Sequence, residues 1–345
     1  MQKLLTIVVP VYKVEQYINK CLDSCLIYKT NKQGEKILDD ELMCQLEVII
    51  VNDGTPDLSA EMSREYAKRY PNVFRQIDKE NGGHGSVWNR GIKEAQGKYI
   101  KFLDSDDWLE NLACMIDKLQ STDADLIISP YMVHDETAGE VFKMTVKDME
   151  FGKTYNADCF DWQGNRSEGH YYWHQGGIYK VELLRRNHPL FLEKQPYDDT
   201  ILMVCPVIEA KSLVAFDIPL YQYLIGREGQ SVSADTFRKK YDALIKVRKS
   251  VINYVEAHPV SDSSTKKVFL SNLLRKQYQY EYVAPIDSLK YGQAKKTVKE
   301  WDQWVRQNNH DVMTKWIRLF RIMPFCLYWV TYRFYSCFGK MIKKH

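Results

Sequence analysis

Residues 97–110 read GKYIKFLDSDDWLE. Lys98–Leu103 (KYIKFL) has the length and make-up of a strand, and it stops at Asp104-Ser105-Asp106-Asp107. Three carboxylates within four residues repel one another unless a cation or hydrogen-bond donors compensate them. A hard divalent cation, Mn²⁺ or Mg²⁺, prefers oxygen ligands, keeps part of its water and bridges to the phosphates of a substrate. One carboxylate can hold such a metal while its neighbour hydrogen-bonds a ribose. The competing reading is structural: Asp106 or Asp107 caps a helix predicted over about 109–120.

Upstream, the same alternation repeats. Leu4–Val9 is a buried apolar run, and Val14, Tyr17, Ile18, Cys21, Leu22 and Cys25 then fall on one helical face. Residues 29–46 are polar and read as a loop insertion. EVIIV at 47–51 is a second strand halted by Asn52-Asp53-Gly54, Asp57 can cap a helix over 58–70, and Val73–Ile77 is a third strand. The glycine-rich loop Asn81–Ser86 leads into a helix ending near Gln96, and Asp125–Ser129 is a fifth strand. Strand–helix alternation with short links predicts an α/β fold whose mainly parallel sheet is covered on both faces. Such sheets bind ligands at the carboxyl ends of their strands. The clusters Pro10-Val11-Tyr12, Asn52-Asp53-Gly54 and Asp104–Asp107 all fall there. Asp53 by itself is ordinary turn chemistry, but two acidic clusters along one crevice form a joint signal. In the loop Glu80–Ser86 three glycines precede a helix start, where backbone N–H groups can meet an anion; a plain surface loop is the alternative. Tyr197-Asp198-Asp199-Thr200 precedes the apolar run Ile201, Leu202, Val204, Cys205. One of these aspartates can cap that helix while the other projects as a general base.

Residues 131–230 read as shorter strands and aromatic loops (Tyr171, Tyr172, Trp173), with helical patterns at 178–186 and 198–210. From about 237 onward the chain is helical, broken at Pro259 and Ser261–Ser264. The 345 residues are two domains' worth of chain, and 45% apolar with 27% charged residues is globular composition, which excludes collagen-like and disordered classes. A net charge of +3 gives no reason to expect nucleic acid. The charge is uneven: residues 311–345 hold seven Lys/Arg and one Asp, so they sum to +6 and the rest to −3. The absence of G-x-G-x-x-G after the first strand and of G-x-x-x-x-G-K-[ST] anywhere removes dinucleotide dehydrogenases and P-loop enzymes. Eight scattered cysteines without a Cys-x-x-Cys pair argue against a zinc site or a disulfide framework. The start MQKLLTIVVPVYKVEQ reads as a strand rather than a signal peptide, and no stretch reaches the ~20 apolar residues of a spanning helix. A reducing, cytoplasmic setting is expected.

At this point the chain resembles the family 2 glycosyltransferases of GT-A (Rossmann-like) fold, of the kind that builds bacterial capsule, wall and exopolysaccharide. The resemblance lies in IVVPVYKVEQYINKCLDS (7–24), EVIIVNDGTPD (47–57), ENGGHGSVWNRGI (80–92), GKYIKFLDSDDWLE (97–110), GGIYKVELLRR (176–186), PYDDTIL (196–202) and YQYLIGREGQSVS (221–233). These occur in the family's order over about 7–233. The resemblance implies that Pro10, Val11 and Tyr12 line the nucleotide-base pocket, with Asp53 hydrogen-bonding the base and Asn81 and Gly82 beside it. It implies that Asp104, next to Ser105, contacts the ribose, and that Asp106 with Asp104 serves the metal, Mn²⁺ or Mg²⁺. Of the late acidic pair Asp198-Asp199, the second member becomes the general base, and Arg227, Gln230 and Ser231 match a segment that closes over the diphosphate. Three departures stand out: Tyr12-Lys13 where many members have Tyr-Asn, Val87-Trp88-Asn89 where Ala-Arg-Asn is common, and His84 in the glycine loop. Arg90 either replaces the missing arginine or sits on the surface.

The expectation is therefore a metal-dependent, inverting glycosyltransferase moving a sugar from a nucleotide sugar, a UDP-sugar in the first instance, to a hydroxyl of a glycan or lipid-linked acceptor. A catalytic domain over 1–235, with a nucleotide-sugar half to about 130 and an acceptor half from 131, precedes a helical region over 236–345. In the tail, Val312, Trp316, Leu319, Phe320 and Met323 share one helical face opposite Lys315 and Arg318, followed by Phe325, Tyr328, Trp329, Tyr332, Tyr335 and a basic end. That pattern suits a helix lying on the inner face of the cell membrane, or else one packed on the catalytic domain. Two other classes remain in view: a non-catalytic nucleotide-sugar-binding partner subunit, which has no need of the base, and a nucleotidyltransferase, whose glycine- and arginine-rich first loop is missing. Donor sugar, acceptor, linkage and oligomeric state stay open at this level.

Overall fold

The computed structural model describes residues 3–145, 149–162, 174–186, 190–195, 198–226, 241–308 and 313–342. Its centre is β1 (Leu5–Val11), paired in parallel with β4 (Leu46–Asn52) on one side and β6 (Tyr99–Phe102) on the other. β5 (Phe74–Asp78) extends the sheet in parallel beyond β4. Beyond β6 come β12 (Gly177–Lys180), β8 (Leu126–Ile128), β13 (Ser212–Ala215) and β11 (Thr154–Asn156), giving eight strands. β12 runs antiparallel to both its neighbours, so the sheet is mixed at that point.

The apolar runs split by side-chain alternation. Val8, Ile49 and Val51 face α4 (His84–Glu94) through Val87, Trp88 and Ile92. Ile7, Val9, Val48 and Ile50 face α1 (Ile18–Asp23) and α5 (Leu112–Gln120). A second sheet joins β10 (Glu140–Met144), β9 (Tyr131–Asp135), β14 (Tyr221–Ile225) and β7 (Trp108–Leu109). The helices α8 (Tyr241–Ala257) and α9 (Thr265–Ser288) enter the first core through Val247, Val251, Val255, Phe269 and Leu270. With α10 (Tyr291–Gln307), α11 (Lys315–Ile322) and α12 (Phe325–Ile342) they enclose a third core around Tyr278, Tyr282, Trp301, Ile317 and Tyr328. Cys21, Cys25, Cys44, Cys114, Cys159, Cys205 and Cys326 are free thiols.

Three expectations are corrected. The polar stretch 29–46 is not a plain loop: Tyr28–Thr30 pairs with Lys36–Leu38 as a hairpin, and Asp40–Met43 forms a turn of helix capped by Asp39. The helix after the acidic run begins at Leu112, not 109, because Trp108 and Leu109 pair with Gln222 and Tyr221. The helical pattern at 178–186 is a strand followed by a short helix, since Gly177–Lys180 is captured between β6 and β8. The last two differences are non-local pairings that override the local period.

The C-terminal helices are stapled by one carboxylate. Asp302 accepts from Tyr282 Oη at 2.6 Å, Arg306 Nε at 2.7 Å and Arg321 Nε at 2.8 Å, so α9, α10 and α11 meet on it. Burial acts to raise the Asp302 carboxyl, but the Tyr282, Arg306 and Arg321 donors outweigh it and hold it below the ordinary range. Such a depressed carboxyl contributes stability above its unfolded pKa and loses it as pH falls through the folded value. Asp302→Ala, which strands two guanidinium groups and a phenol, is expected to cost about 3 kcal/mol at neutral pH in urea unfolding. The difference from the parent chain narrows below about pH 4.

Candidate active site

The register of β1, β4 and β6 brings three strand ends side by side: Val11 opposite Asn52, and Val8 opposite Phe102 two residues before Asp104. Asp53 N–H donates to Val11 O at 3.1 Å, and Leu103 N–H donates to Val8 O at 3.0 Å. Pro10 and Val11 are thus packed against the Asn52–Asp53 end, while Tyr12 stands exposed at the rim. Lys13 follows in the left-handed region at φ 58°, its N–H bonded to Thr55 Oγ1 at 2.8 Å. Asn enters that conformation more readily than Lys, which gives a backbone reason for the Asn common at this place in the resembling family.

Asp53 is buried and organises the glycine loop. Its carboxylate accepts from Gly82 N–H and Gly83 N–H, both at 2.8 Å, and from Lys79 Nζ at 2.6 Å, while Asn81 Nδ2 donates to its main-chain oxygen at 2.9 Å. Gly83 sits at φ 80° as the residue before α4, a conformation that favours glycine. The loop amides expected to meet a ligand's anion are therefore turned onto Asp53 inside the protein. Lys194 N–H then bonds Gly82 O at 2.6 Å, and Asn89 grips Leu190 and Phe191 through three bonds. In this way the segment leading to Asp198 and Asp199 is docked on the loop and on α4.

The acidic run after β6 divides its labour. Asp107 is fully inside: Tyr221 Oη donates to it at 2.5 Å and Leu224 N–H at 2.8 Å, tying the run to β14. Burial first, and then the Asp104 charge, push the Asp107 carboxyl well above the usual range. Neither Asp106 nor Asp107 caps the following helix, whose cap position is Asn111. Asp104 keeps a quarter of its side chain exposed, and His84 Nε2 lies 3.2 Å from its Oδ1. His174 Nε2 lies 3.7 Å from its Oδ2, outside hydrogen-bond length but close enough for attraction. Burial would raise the Asp104 carboxyl; His174 and His84 overturn that and hold it well below the usual range, so it is an anion. Ser105 is buried between the two, and Asp106 is half-buried.

Across the crevice Asp198–Met203 forms a 3₁₀ turn. Asp199 Oδ2 lies 3.8 Å from His174 Nδ1, so one imidazole faces both Asp104 and Asp199. The structure thus brings Asp104 and Asp199 to one imidazole, with Asp106 two residues beyond Asp104, and it gathers Asp53, Asn81 and Gly82 in one loop. It does not bring Arg90 there. Arg90 Nε pairs with Glu94 at 2.9 Å, and Glu94 meets Arg75, which bonds Glu47 near the amino end of β4. Arg227 lies outside the described residues.

Sequence reading missed His174, Lys101 and Tyr221. Lys101 is wholly buried and donates to the carbonyls of His174 (3.1 Å), Gln175 and Gly177 (3.0 Å). Burial pushes its ammonium down to about 7, against the upward pull of Asp104 and Asp107. Nothing local marks a strand lysine as buried; the only hint for His174 is its position two residues before the Gly176-Gly177 pair that enters β12. The departures His84 and Trp88 prove to be one unit: their rings lie 4.0 Å apart, and Trp88 also packs on His174 at 5.6 Å and Phe191 at 5.2 Å.

Among the described residues no three His, Cys, Asp or Glu side chains are grouped to hold a metal by themselves. A Mg²⁺- or Mn²⁺-type ion that keeps waters and takes phosphate oxygens needs only one or two carboxylates. The ionised, part-exposed Asp104 and its neighbour Asp106 fit such an ion.

The mixed, mainly parallel sheet flanked by helices is the GT-A fold. Residues 6–186 match the model of Glycosyl transferase family 2, and the chain belongs to that family. EpsH of Bacillus subtilis, named as a glycosyltransferase, is 30% identical over 237 residues, 64% of this chain. The chain spans only 60% of that relative's length. Among solved structures, S. aureus TarS 1-349 in complex with UDP superposes with a TM-score of 0.56 at 17% identity, covering 88% of this chain and 78% of that one. The mannosyltransferase PcManGT from Pyrobaculum calidifontis, in complex with GDP-Man and Mn²⁺, gives 0.51 at 12% identity, covering 99% and 88%. At these identities the likeness is one of fold.

Lys101→Met removes the ammonium on which three carbonyls converge. It is expected to cost about 3 kcal/mol in urea unfolding.

Proposed function

We propose that this protein is an inverting, metal-dependent glycosyltransferase that moves a sugar from a UDP-sugar to a hydroxyl of a glycan or lipid-linked acceptor in bacterial surface polysaccharide synthesis. What supports the reading is that Asp104 and Asp199 both lie within 3.8 Å of the His174 ring, in a chain of family 2. Solved neighbours of the same fold hold UDP, or GDP-Man with Mn²⁺, which supports a nucleotide sugar and a divalent cation here.

In this mechanism Pro10, Val11, Tyr12, Asp53, Asn81 and Gly82 form the base side of the donor site, and Asp104 takes the ribose. Asp106 and Asp104 would hold a divalent cation, which would supply charge neutralisation for the departing diphosphate. Asp199 accepts the proton of the acceptor hydroxyl as that oxygen attacks the anomeric carbon from the face opposite the diphosphate. The new C–O bond forms as the C–O bond to phosphate breaks, and the anomeric configuration inverts. Asp199 suits this role by standing part-exposed on the side of His174 away from Asp104.

The test is nucleotide release from UDP-, GDP- and dTDP-sugars with Mn²⁺, beside EDTA and the Asp199→Asn and Asp106→Asn variants. One donor is expected to turn over, EDTA abolishes release, and Asp199→Asn lowers it by about 10²–10⁴-fold while UDP binding persists. Binding without turnover of any donor, with candidate acceptors present, instead supports a nucleotide-sugar-binding partner subunit.

The reading extends to a membrane surface on the cytoplasmic side. No helix among the described residues is long and apolar enough to cross a membrane. Leu327, Val330 and Phe334 nevertheless form an outward stripe on α12, 56%, 62% and 73% exposed, with Ile322 at 70% beside them on α11. The +6 charge of residues 311–345 complements an anionic leaflet. The protein is expected to sediment with phosphatidylglycerol-containing vesicles and not with pure phosphatidylcholine, and Val330→Asp/Phe334→Ser to abolish this. Equal recovery with both vesicle types, or concentration-dependent dimers lost in the same variant, overturns the membrane assignment.

A further inference from the structure

Side chains along β14 alternate between its two faces, so Tyr221, Tyr223 and Ile225 share one of them. The first of these already meets the acidic run. Tyr221 Oη bonds Asp107, accepts from Asp104 N–H at 3.2 Å and lies 3.4 Å from Asp104 Oδ2. Tyr223 is the next phenol on that face, about 7 Å further along the strand. It stands in parallel register with Val133 of β9, and its partly buried ring packs against the core that holds Tyr131, Val133 and Tyr221.

The two phenols differ in what their hydroxyls do. That of Tyr221 is spent inside the protein. Among the described residues that of Tyr223 has no hydrogen-bond partner. Burial, followed by the charges of Asp104, Asp107 and Asp199 in that order, pushes the Tyr223 phenol up, so it is neutral and keeps its proton. The group therefore stands within the field of the donor-side carboxylates and of Asp199 with its bonding capacity unused. A diphosphate is matched by cations, and a single neutral phenol offers it none. A sugar hydroxyl both donates and accepts, as a phenol does. In the reading above, the sugar in transit is also the part of the substrate that lies between the ribose side at Asp104 and the proton acceptor Asp199.

We propose that Tyr223 is a specificity-determining residue whose hydroxyl hydrogen-bonds one hydroxyl of the transferred sugar. The inference rests on the reading of the crevice as a nucleotide-sugar site with Asp199 as base. β14 lies between β9 and β7, so the ring is carried by an interior strand. A group held in this way keeps its hydroxyl in one place, which selection between sugars differing at one hydroxyl requires.

The test uses the full chain, the nucleotide sugar that it turns over, and single-deoxy analogues of that donor, each lacking one hydroxyl. Tyr223→Phe is expected to lower kcat/KM about 10-fold with the complete donor and to leave the Kd of the free nucleoside diphosphate with Mn²⁺ unchanged. One deoxy donor is expected to cost the parent chain a similar factor and to cost Tyr223→Phe nothing further. An unchanged kcat/KM in Tyr223→Phe overturns the proposal. Losses that multiply for every deoxy donor overturn it as well and place the contact away from the transferred sugar. Weakened binding of the nucleoside diphosphate places the contact on the nucleotide, again against the proposal. Tyr223→Phe is expected to keep the urea midpoint of the parent chain; a clearly lower midpoint shows that the hydroxyl serves the fold and refutes the assignment. If no donor turns over, the transferase reading fails by itself and Tyr223 is judged by calorimetry with UDP, UDP-glucose and UDP-N-acetylglucosamine. Affinity for either sugar nucleotide that falls about 10-fold in Tyr223→Phe while that for UDP holds supports the contact, and equal affinities refute it.

Discussion

Asp104 and Asp107 stand three residues apart after β6 because each is compensated separately: His84 and His174 face the part-exposed Asp104, Tyr221 and Leu224 bond the buried Asp107, and Lys101 is buried close by. Lys101 has no exposed surface, and its three donors are spent on the carbonyls of His174, Gln175 and Gly177. Its Nζ also lies 4.8 Å from the centre of the Tyr221 ring, whose hydroxyl bonds Asp107. An unpaired buried charge costs several kcal/mol, so this arrangement persists only while all members are present. Through them the end of β6, the turn into β12 and the start of β14 are locked together, and that lock sets where Asp104 and His174 stand.

The glycine loop follows the same inward logic. Asp53 spends its carboxylate on two loop amides and Lys79, and the loop in turn receives Lys194 and, through α4, the segment that carries Asp199. The glycine loop and the stretch 190–194 are therefore positioned by one continuous set of bonds rather than separately. The departures from the family pattern belong to this set. Trp88 fills core space against Phe102 and Phe191 and presents its ring to His84 and His174, so the replaced arginine and the unusual histidine form one packing unit.

Much of the fold up to residue 102 was legible beforehand. Leu5–Val11, Leu46–Asn52, Phe74–Asp78 and Tyr99–Phe102 are apolar runs with clean boundaries, and turn residues stand where the strands stop. The strand at Trp108-Leu109, the strand at Gly177–Lys180 and the hairpin at 28–38 were not legible, because each exists only by virtue of a partner far along the chain or across a turn. Arg90 shows the same limit in a site residue: its spacing allows a place in the crevice, and only the Glu94–Arg75–Glu47 chain of ion pairs directs it elsewhere.

The sequence by itself determined the order of strands and helices, the acidic clusters at their ends and the family to which they point, because hydrophobic period and turn chemistry act over a few residues. Only the tertiary structure decided that Lys101 is buried, that Asp107 is a structural anchor while Asp104 faces the crevice, and that His174 stands between Asp104 and Asp199. Those facts depend on groups 25 to 117 residues apart meeting in a medium of low dielectric, where the sign and cost of each charge are set by its neighbours in space and not by its neighbours in the chain.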